Sequence, residues 1–237
     1  MTSSGEGQAY QRHLDRSRGD AERSHEGYAV WFDATLGPQR GRALDFGAGL
    51  GAGVDYLRAS GFAEVEAFDT RPELAGPLAG TADAVHVSHD PLAWLGNQRG
   101  RYDLILAKDV VEHLAHEETL PTVSALLGAL APGGRLVVSV PHAVSFTGVY
   151  LRYGDFTHRT AFTESSLRYV LEASGGRSVR FHGPNFGFKL SPKTLAYRAL
   201  KGAWFGVLRG IYYLENPSRD AIPSHFHPRL VATAEAP

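Results

Sequence analysis

A short strand followed by a glycine-rich loop is the feature of this 237-residue chain that most constrains its fold. Residues 43–46 read Ala-Leu-Asp-Phe, and glycines follow at positions 47, 49, 51 and 53. Such a run predicts a β-strand that ends in a loop too tight for side chains, where a ligand can lie on backbone N–H groups. The acid within the strand, Asp45, favours a cofactor with hydroxyl groups or a positive charge over a pyrophosphate alone.

Composition excludes several kinds of site and partner. The chain has no cysteine, which rules out disulfides, thiolate nucleophiles and cysteine-based zinc or iron–sulfur sites. Its formal net charge of −1 gives no sign of the excess positive charge that is typical of nucleic-acid-binding proteins. No apolar run approaches the roughly 18–20 residues that span a bilayer, so we expect no stable membrane insertion. The polar N-terminus has no signal-peptide core, and the expected location is the cytoplasm.

Strand and helix patterns alternate from residue 42 onward. Residues 1–20 are predicted to be a flexible segment, and residues 21–237 one domain. A helix at 21–36 forms an N-terminal cover, and an amphipathic stretch at 191–214 forms a C-terminal helical insert. Strands are predicted at 42–46, 64–68, 84–88, 102–107, 135–140, 178–181 and 229–234. Helices are predicted at 51–60, from 72, and at 91–95, 117–130 and 163–173. This alternation predicts a parallel sheet with helices on both faces and a ligand site at the carboxyl ends of its strands.

The glycine loop fits two cofactor classes. With Gly47, Gly49 and Ala52 it fits a dinucleotide fingerprint. With Asp45 before the glycines it fits a loop that binds a nucleoside. In both cases Asp69, at the end of the second predicted strand, is placed to accept hydrogen bonds from ribose hydroxyls.

Further blocks in a fixed order favour the second class. After residues 44–51 come Phe68-Asp69, residues 102–107 (Tyr-Asp-Leu-Ile-Leu-Ala), residues 110–114 (Val-Val-Glu-His-Leu) and residues 130–141 (Leu-Ala-Pro-Gly-Gly-Arg-Leu-Val-Val-Ser-Val-Pro). From about residue 40 to 182 the sequence therefore resembles class I S-adenosylmethionine-dependent methyltransferases of the small-molecule type. The resemblance implies an α/β fold with a Rossmann-like sheet of seven mostly parallel strands, and S-adenosyl-L-methionine as cofactor.

The same resemblance implies roles for the matched residues. Asp45 would hold the ammonium end of the cofactor, Asp69 the ribose, and Asp90, next to His89, the adenine amino group. The loop residues Gly47, Ala48, Gly49 and Gly51 would pass under the methionine and ribose, and the backbone near Ala107 and Lys108 would close over the cofactor. The competing interpretation of Asp69 and Asp90 is a turn or a helix cap.

Methyl transfer to a hydroxyl benefits from a general base or a metal ion. Without cysteine, the candidates are histidines and carboxylates. His113 follows the fourth predicted strand, His142 follows the fifth, and His158 lies before the next helix. Each is a candidate catalytic residue, and each could instead be a structural histidine that stabilises a loop.

The segment at residues 154–167 indicates a substrate class. It resembles a stretch of methyltransferases from glycan, sugar-nucleotide and secondary-metabolite pathways. Asp155 and His158 within it could be a base and its orienting partner, two ligands of a divalent ion, or parts of a loop with Asx-type hydrogen bonds. We therefore predict O-methylation of a sugar or a glycosylated small molecule. The alternatives are N- or C-methylation of a small molecule, an NAD-dependent oxidoreductase, and a non-catalytic protein that keeps only the cofactor fold.

Two features near the C-terminus stay open at this point. In a strand, His225 and His227 would share one face, as a metal pair needs, but no third ligand is identified and no metal site is predicted. We favour a loop bounded by Pro223 and Pro228 that closes on the site. The stretch at 191–214 could pack on the core as a lid, form a homodimer face or lie on a membrane surface. The expected partner is a small-molecule substrate.

Overall fold

A computed structural model describes residues 25–185, 192–215 and 222–236. The expected flexible segment at 1–20 lies outside these residues. The helices are α1 (His25–Phe32), α2 (Ala52–Ala59), α3 (Ala75–Leu78), α4 (Pro91–Gly96), α5 (His116–Gly128), α6 (Phe146–Gly154), α7 (Glu164–Ala173) and α8 (Pro192–Glu215). The strands are β1 (Arg42–Phe46), β2 (Glu64–Asp69), β3 (Ala84–Val87), β4 (Tyr102–Lys108), β5 (Leu130–Pro141), β6 (Arg177–His182) and β7 (Arg229–Glu235). Single 3₁₀ turns cover Asp33–Thr35, Pro72–Leu74 and Val111–His113.

The seven strands form one sheet in the order β3-β2-β1-β4-β5-β7-β6. The first five strands of this order pair in parallel, and β7 runs antiparallel to both β5 and β6. The predicted sheet of seven mostly parallel strands is thus confirmed. The strand order reverses between β1 and β4, which places a crevice for ligands at their carboxyl ends.

Helices cover both faces because successive side chains of a strand point to opposite sides. Leu44 of β1 and Ile105 of β4 belong to a buried cluster with residues of α5 and α7. Their neighbours Ala43 and Leu104 belong to a second cluster with residues of α1, α2 and α3. Burial on both faces explains why β4 is apolar almost without interruption.

Two segments differ from the prediction. Strand β5 begins at Leu130, five residues earlier than expected, because Pro132-Gly133-Gly134 forms an irregularity within the strand and does not precede it. Its pairing with β4 shifts between Tyr102 and Leu104, and Gly133 has φ +76°. Helix α6 was not predicted, although the Ser145 side chain caps it by accepting a hydrogen bond from the Gly148 N–H.

The two covering helices lie where the sequence predicted them. Helix α1 and the following 3₁₀ turn precede β1, and α8 precedes β7. Helix α7 begins after Thr163, whose hydroxyl accepts a hydrogen bond from the Ser166 N–H, as the predicted cap requires. None of the described helices has the length and apolarity needed to cross a membrane.

Candidate functional site

The glycine loop connects β1 to α2 and lies against the carboxyl end of β2. The N–H groups of Gly47 and Ala48 both donate to the carbonyl of Phe68, at 2.8 and 3.0 Å. Gly47 has φ +83°, and a Cβ built on it would lie 2.4 Å from a methyl group of Val110. Only glycine fits this position, because the loop turns in the left-handed region while it packs against the segment after β4.

Asp69 lies against the same loop. Its Oδ2 accepts a hydrogen bond of 3.0 Å from the N–H of Gly49, and the side chain is almost fully buried. Arg71 forms an ion pair with the carboxylate, with 3.1 Å between Nε and Oδ1. The acid predicted to bind ribose hydroxyls is therefore held beside the loop and paired with Arg71.

Asp45 is a buried acid beneath the start of α2. Only 4 % of its surface is exposed, and its carboxylate lies against Gly53. Burial raises the pKa of Asp45 to about 7, and the charge of Asp69 adds to the rise, while Lys108 and the N–H of Val54 oppose it. Asp45 is thus a nearly desolvated carboxyl group whose pKa lies well above its usual value.

Two other predicted cofactor residues already have partners. Oδ1 of Asp90 accepts a hydrogen bond of 2.9 Å from the N–H of Ala93, so this carboxylate caps α4. Lys108 donates to Asp109 across 2.7 Å and lies 5.5 Å from the ring of Tyr28. The roles of Asp90 and Lys108 toward a cofactor stay predictions.

Asp109 is a site residue that the sequence analysis missed. It has φ +55°, and its N–H donates to the carbonyl of Ser139 across 2.9 Å. Its carboxylate accepts hydrogen bonds from Lys108 and from Arg229, which is 120 residues away in sequence. Burial alone would raise the pKa of Asp109, but Arg229 and Lys108 hold it well below its usual range. The sequence signal that could have identified Asp109 is its position directly after Lys108, the last residue of β4.

Beyond Asp109, three side chains converge at the end of β4. One ligand atom each from Glu112, His113 and His158 lie within 4.8 Å of one another. Glu112 is fully buried, and neither of its carboxylate oxygens has a hydrogen-bond partner in the described part of the chain. Nε2 of His158 lies 3.9 Å from Oε1 of Glu112, and the two imidazole centroids are 4.5 Å apart. Burial, reinforced by Asp109, raises the pKa of Glu112 well above its usual value.

His158 reaches this cluster from the loop between α6 and α7. The N–H groups of Arg159 and Thr160 both donate to the carbonyl of Glu112, at 2.7 and 3.1 Å. Nδ1 of His158 lies 3.1 Å from the carbonyl oxygen of Arg152, which can only accept. In the neutral ring Nδ1 therefore carries the proton, and Nε2 presents its lone pair toward Glu112.

His113 is oriented by a chain of two hydrogen bonds. The hydroxyl of Thr157 donates to Oδ1 of Asp155 across 2.6 Å, and so it must accept from Nδ1 of His113 across 2.9 Å. Nε2 of His113 is then the nitrogen with the lone pair. Burial, reinforced by His158, lowers the pKa of His113. The structure thus links Asp155 to His113 through Thr157.

His142 belongs to a different histidine cluster. It is fully buried, and its ring contacts that of His225 edge to face at a centroid distance of 5.3 Å. Nδ1 of His142 lies 3.0 Å from the carbonyl oxygen of His227, and burial lowers the pKa of His142 to about 4. His225 and His227 precede β7 and lie in the proline-bounded loop that the sequence favoured, not on a strand. Nε2 of His225 lies 3.6 Å from a carboxylate oxygen of Glu164.

A cavity of about 560 Å³ opens at the same edge of the sheet. Its walls come from α1, α6, α8 and the segment before β7, and aromatic and apolar side chains predominate. The lining residues are Trp31, Ser145, Phe146, Thr147, Tyr197, Leu200, Lys201, Trp204, Phe205, Leu208, Phe226, His227 and Pro228. The carbonyl of Pro228 accepts a hydrogen bond of 2.9 Å from the N–H of His142, which ties this wall to the carboxyl end of β5.

Comparison with known proteins adds a family and a set of related folds. The model of a family described as a methyltransferase domain matches residues 21–179. No curated protein sequence gives a significant match.

Three solved structures illustrate the similarity. An S-adenosylmethionine-dependent methyltransferase from Archaeoglobus fulgidus is 18 % identical, with 90 % of this chain and 96 % of that chain covered and a TM-score of 0.62. The 1,6-didemethyltoxoflavin-N1-methyltransferase of Burkholderia thailandensis, with S-adenosylhomocysteine bound, is 20 % identical, with 99 % and 87 % covered and a TM-score of 0.59. Phosphoethanolamine N-methyltransferase 2 of Haemonchus contortus is 15 % identical, with 90 % and 52 % covered and a TM-score of 0.55. At these identities the likeness establishes the fold.

Proposed function

This chain belongs to the methyltransferase-domain family, and from that premise we propose that it methylates a hydroxyl group of a sugar or a glycosylated small molecule. It is an S-adenosylmethionine-dependent methyltransferase. The observation that carries the finer proposal is the cluster of Glu112, His113 and His158, because it presents two imidazole lone pairs at the edge of the sheet where substrates bind.

The reaction needs an acceptor oxygen in line with the carbon–sulfur bond of the cofactor. As the oxygen–carbon bond forms, the carbon–sulfur bond breaks and its electrons stay on sulfur. The hydroxyl proton passes to Nε2 of a histidine. We assign this role to His113, which is half-buried, with His158 beside it. Asp155 stabilises the charged His113 ring through Thr157.

The cofactor is proposed to lie along the glycine loop. Asp45 faces its ammonium group and Asp69 its ribose, where the ribose hydroxyls replace part of the contact with Arg71. The full proposed set is Asp45, Gly47, Ala48, Gly49, Gly51, Asp69, Asp90 and Lys108. The hydrogen bond from the Gly49 N–H to Asp69 supports this placement, because it holds the loop and the ribose acid as one unit.

The aromatic cavity is proposed to receive the acceptor. Trp31, Phe146 and Trp204 line it, and rings of this kind stack on the apolar face of a sugar or enclose an attached apolar group. Helix α8 contributes one wall, so we assign it the role of a substrate lid within a single domain at 21–237.

A panel of acceptors tests the proposal. The full chain is incubated with S-adenosylmethionine and either simple glycosides, glycosylated phenols or matched amines, and S-adenosylhomocysteine and methylated products are measured by mass spectrometry. We expect methylated glycosides. Methylated amines together with unreacted hydroxyl compounds would instead establish an N-methyltransferase.

A variant pair tests the base. His113→Gln should lower the turnover of the glycoside by roughly 10²–10⁴-fold while the affinity for S-adenosylhomocysteine stays the same. His116→Gln, at an exposed histidine that begins α5, is the control and should keep the full rate. An unchanged rate in His113→Gln overturns the assignment of His113.

A further inference from the structure

Glu112 is a fully buried carboxyl group whose one ion-pair contact in the described part of the chain is Nε2 of His158, at 3.9 Å. Neither oxygen accepts a hydrogen bond from a described residue. Lys108 and Arg229 lie close enough to influence it, but both donate to Asp109. Buried polar groups in native proteins are almost always hydrogen-bonded, and buried charges are paired or bind a metal ion. A buried carboxyl group whose two oxygens are both orphaned therefore points to a ligand that binds them together with the neighbouring histidines.

The two histidines beside Glu112 supply the donors that such a partner needs. Nδ1 of His113 and Nδ1 of His158 are both engaged, by Thr157 and by the carbonyl of Arg152, so the remaining ring nitrogens hold the lone pairs. One ligand atom from each of the three residues lies within 4.8 Å of the other two. Metal bonds of about 2.0–2.2 Å require donor separations of roughly 3–3.5 Å. The separation of 3.9 Å between Nε2 of His158 and Oε1 of Glu112 is already close to that value.

We propose that Glu112, His113 and His158 bind a divalent transition-metal ion. Two imidazole nitrogens and one carboxylate oxygen suit zinc, iron, manganese or cobalt, whereas magnesium and calcium prefer sites made only of oxygen. Three protein ligands leave further coordination positions open to water or to an acceptor hydroxyl.

The surroundings of the histidines match those of metal ligands. A metal-bound histidine almost always donates its other ring N–H to an acceptor such as a carboxylate, a backbone carbonyl or a water, which fixes the ring and its tautomer. The Thr157–Asp155 pair does this for His113, and the carbonyl of Arg152 does it for His158. The loop that carries His158 is in turn held to the Glu112 carbonyl by two backbone hydrogen bonds.

The metal site goes beyond the proposed function, since binding needs neither cofactor nor acceptor. It also constrains the proposed function, because the ion would bind the lone pair on Nε2 of His113. That is the atom assigned above to accept the hydroxyl proton. Methyl transfer by an imidazole base thus requires the metal-free protein, and chelation should raise the rate or leave it unchanged.

The binding test uses the full chain after treatment with a chelator. Co²⁺ is titrated and followed by its visible absorption, and Zn²⁺ is titrated by calorimetry, with Mg²⁺ as the comparison ion. We expect one Co²⁺ or Zn²⁺ per chain. Glu112→Gln, which keeps the shape of the side chain, and His158→Ala should each weaken binding at least tenfold. His116→Ala should bind as the parent does, and thermal unfolding confirms that each variant is folded.

Two outcomes overturn the metal site. One is the absence of Co²⁺ and Zn²⁺ binding to the folded parent chain. The other is equal affinity in the parent, Glu112→Gln and His158→Ala, which would place the ion elsewhere. A methyl-transfer rate that falls on chelation and returns with Co²⁺ gives a separate answer. That result supports the metal site. It also means that the ion, and not His113, activates the hydroxyl, so it overturns only the proposal that His113 is the general base.

Discussion

A Cβ built on Gly53 would lie 2.4 Å from Oδ2 of Asp45, because α2 begins directly above the end of β1. The glycine therefore makes room for the buried carboxylate, and the two residues act as one unit. Gly53→Ala should displace Asp45 and weaken S-adenosylhomocysteine binding at least tenfold, which calorimetry measures. Alanine would otherwise favour the helix, so a general loss of helix stability cannot explain that result.

The control for Gly53→Ala is another helical glycine, one with open space where a Cβ would stand. Gly128 ends α5 and is exposed, and a Cβ built on it would meet no neighbouring atom within 4 Å. Gly128→Ala should leave the affinity unchanged. Equal affinities in both variants would show that the Asp45 carboxylate does not contact the cofactor.

Cofactor affinity should depend on pH through Asp45. Burial raises the pKa of this carboxyl to about 7, and the charged groups that face it are Lys108 and Asp69. Below pH 7 the unliganded protein holds a neutral acid, which must release its proton before it can pair with an ammonium group. The affinity for S-adenosylhomocysteine should then fall by up to about tenfold for each pH unit below 7 and level off above it.

Asp45→Asn separates this effect from other titrations. The variant should bind the cofactor more weakly at pH 8, with an affinity that changes little between pH 5.5 and 8. A parallel decline in the parent and in the variant would assign the pH dependence to another group. Calorimetry in buffers of different ionisation enthalpy also counts the proton that Asp45 releases on binding.

The sheet could be predicted from the sequence because its strands are local apolar runs, such as Leu104–Leu106 within β4, that burial on both faces requires. Helix α6 escaped prediction because large side chains such as Phe146, Tyr150 and Tyr153 are exposed and give no stripe toward the core. The sequence signal that could have revealed α6 was Ser145, whose side chain caps the start of the helix.

The candidate site was predictable only in its parts. His113 and His158 stood out singly, because His113 follows the fourth predicted strand and His158 lies between the fifth predicted strand and the next predicted helix. Their contact with Glu112 depends on how the loop before α7 folds back onto the end of β4, and no local pattern encodes that. The ion pair between Asp109 and Arg229 joins residues 120 positions apart and is set entirely by the tertiary fold.

Stability should depend on a buried acid far from the proposed chemistry. Glu66 of β2 is fully buried and receives hydrogen bonds from Arg101 at 2.5 Å and Tyr102 at 2.8 Å, with His86 at 2.9 Å. Burial alone would raise the pKa of Glu66, but these partners lower it to about 2. Glu66→Ala removes the buried acceptor that Arg101, Tyr102 and His86 share, and should lower the free energy of unfolding by about 3–5 kcal/mol.

The same pKa shift sets a pH window for this stabilisation. Because the folded pKa lies below the usual value near 4.5, the contribution of Glu66 is present above pH 4.5 and is lost as pH falls toward 2. Urea unfolding of the parent and of Glu66→Ala at pH 7 and pH 3 measures both quantities. The difference between the two proteins should shrink at pH 3, and a constant difference would show that packing, not charge, accounts for it.

Acceptor binding should depend on one face of α8. Trp204 lines the aromatic cavity and packs against Phe146 with a centroid distance of 6.1 Å, whereas Tyr213 of the same helix lies outside the lining set. The two side chains have similar exposure, at 47 and 52 %. For the glycoside that the panel identifies, Trp204→Ala should raise KM roughly tenfold, equivalent to about 1.4 kcal/mol of binding free energy. Tyr213→Ala should leave KM unchanged, and both variants should bind S-adenosylhomocysteine as the parent does. If Tyr213→Ala raises KM as much as Trp204→Ala, the effect comes from loosening α8 as a whole, and the cavity is not the acceptor site.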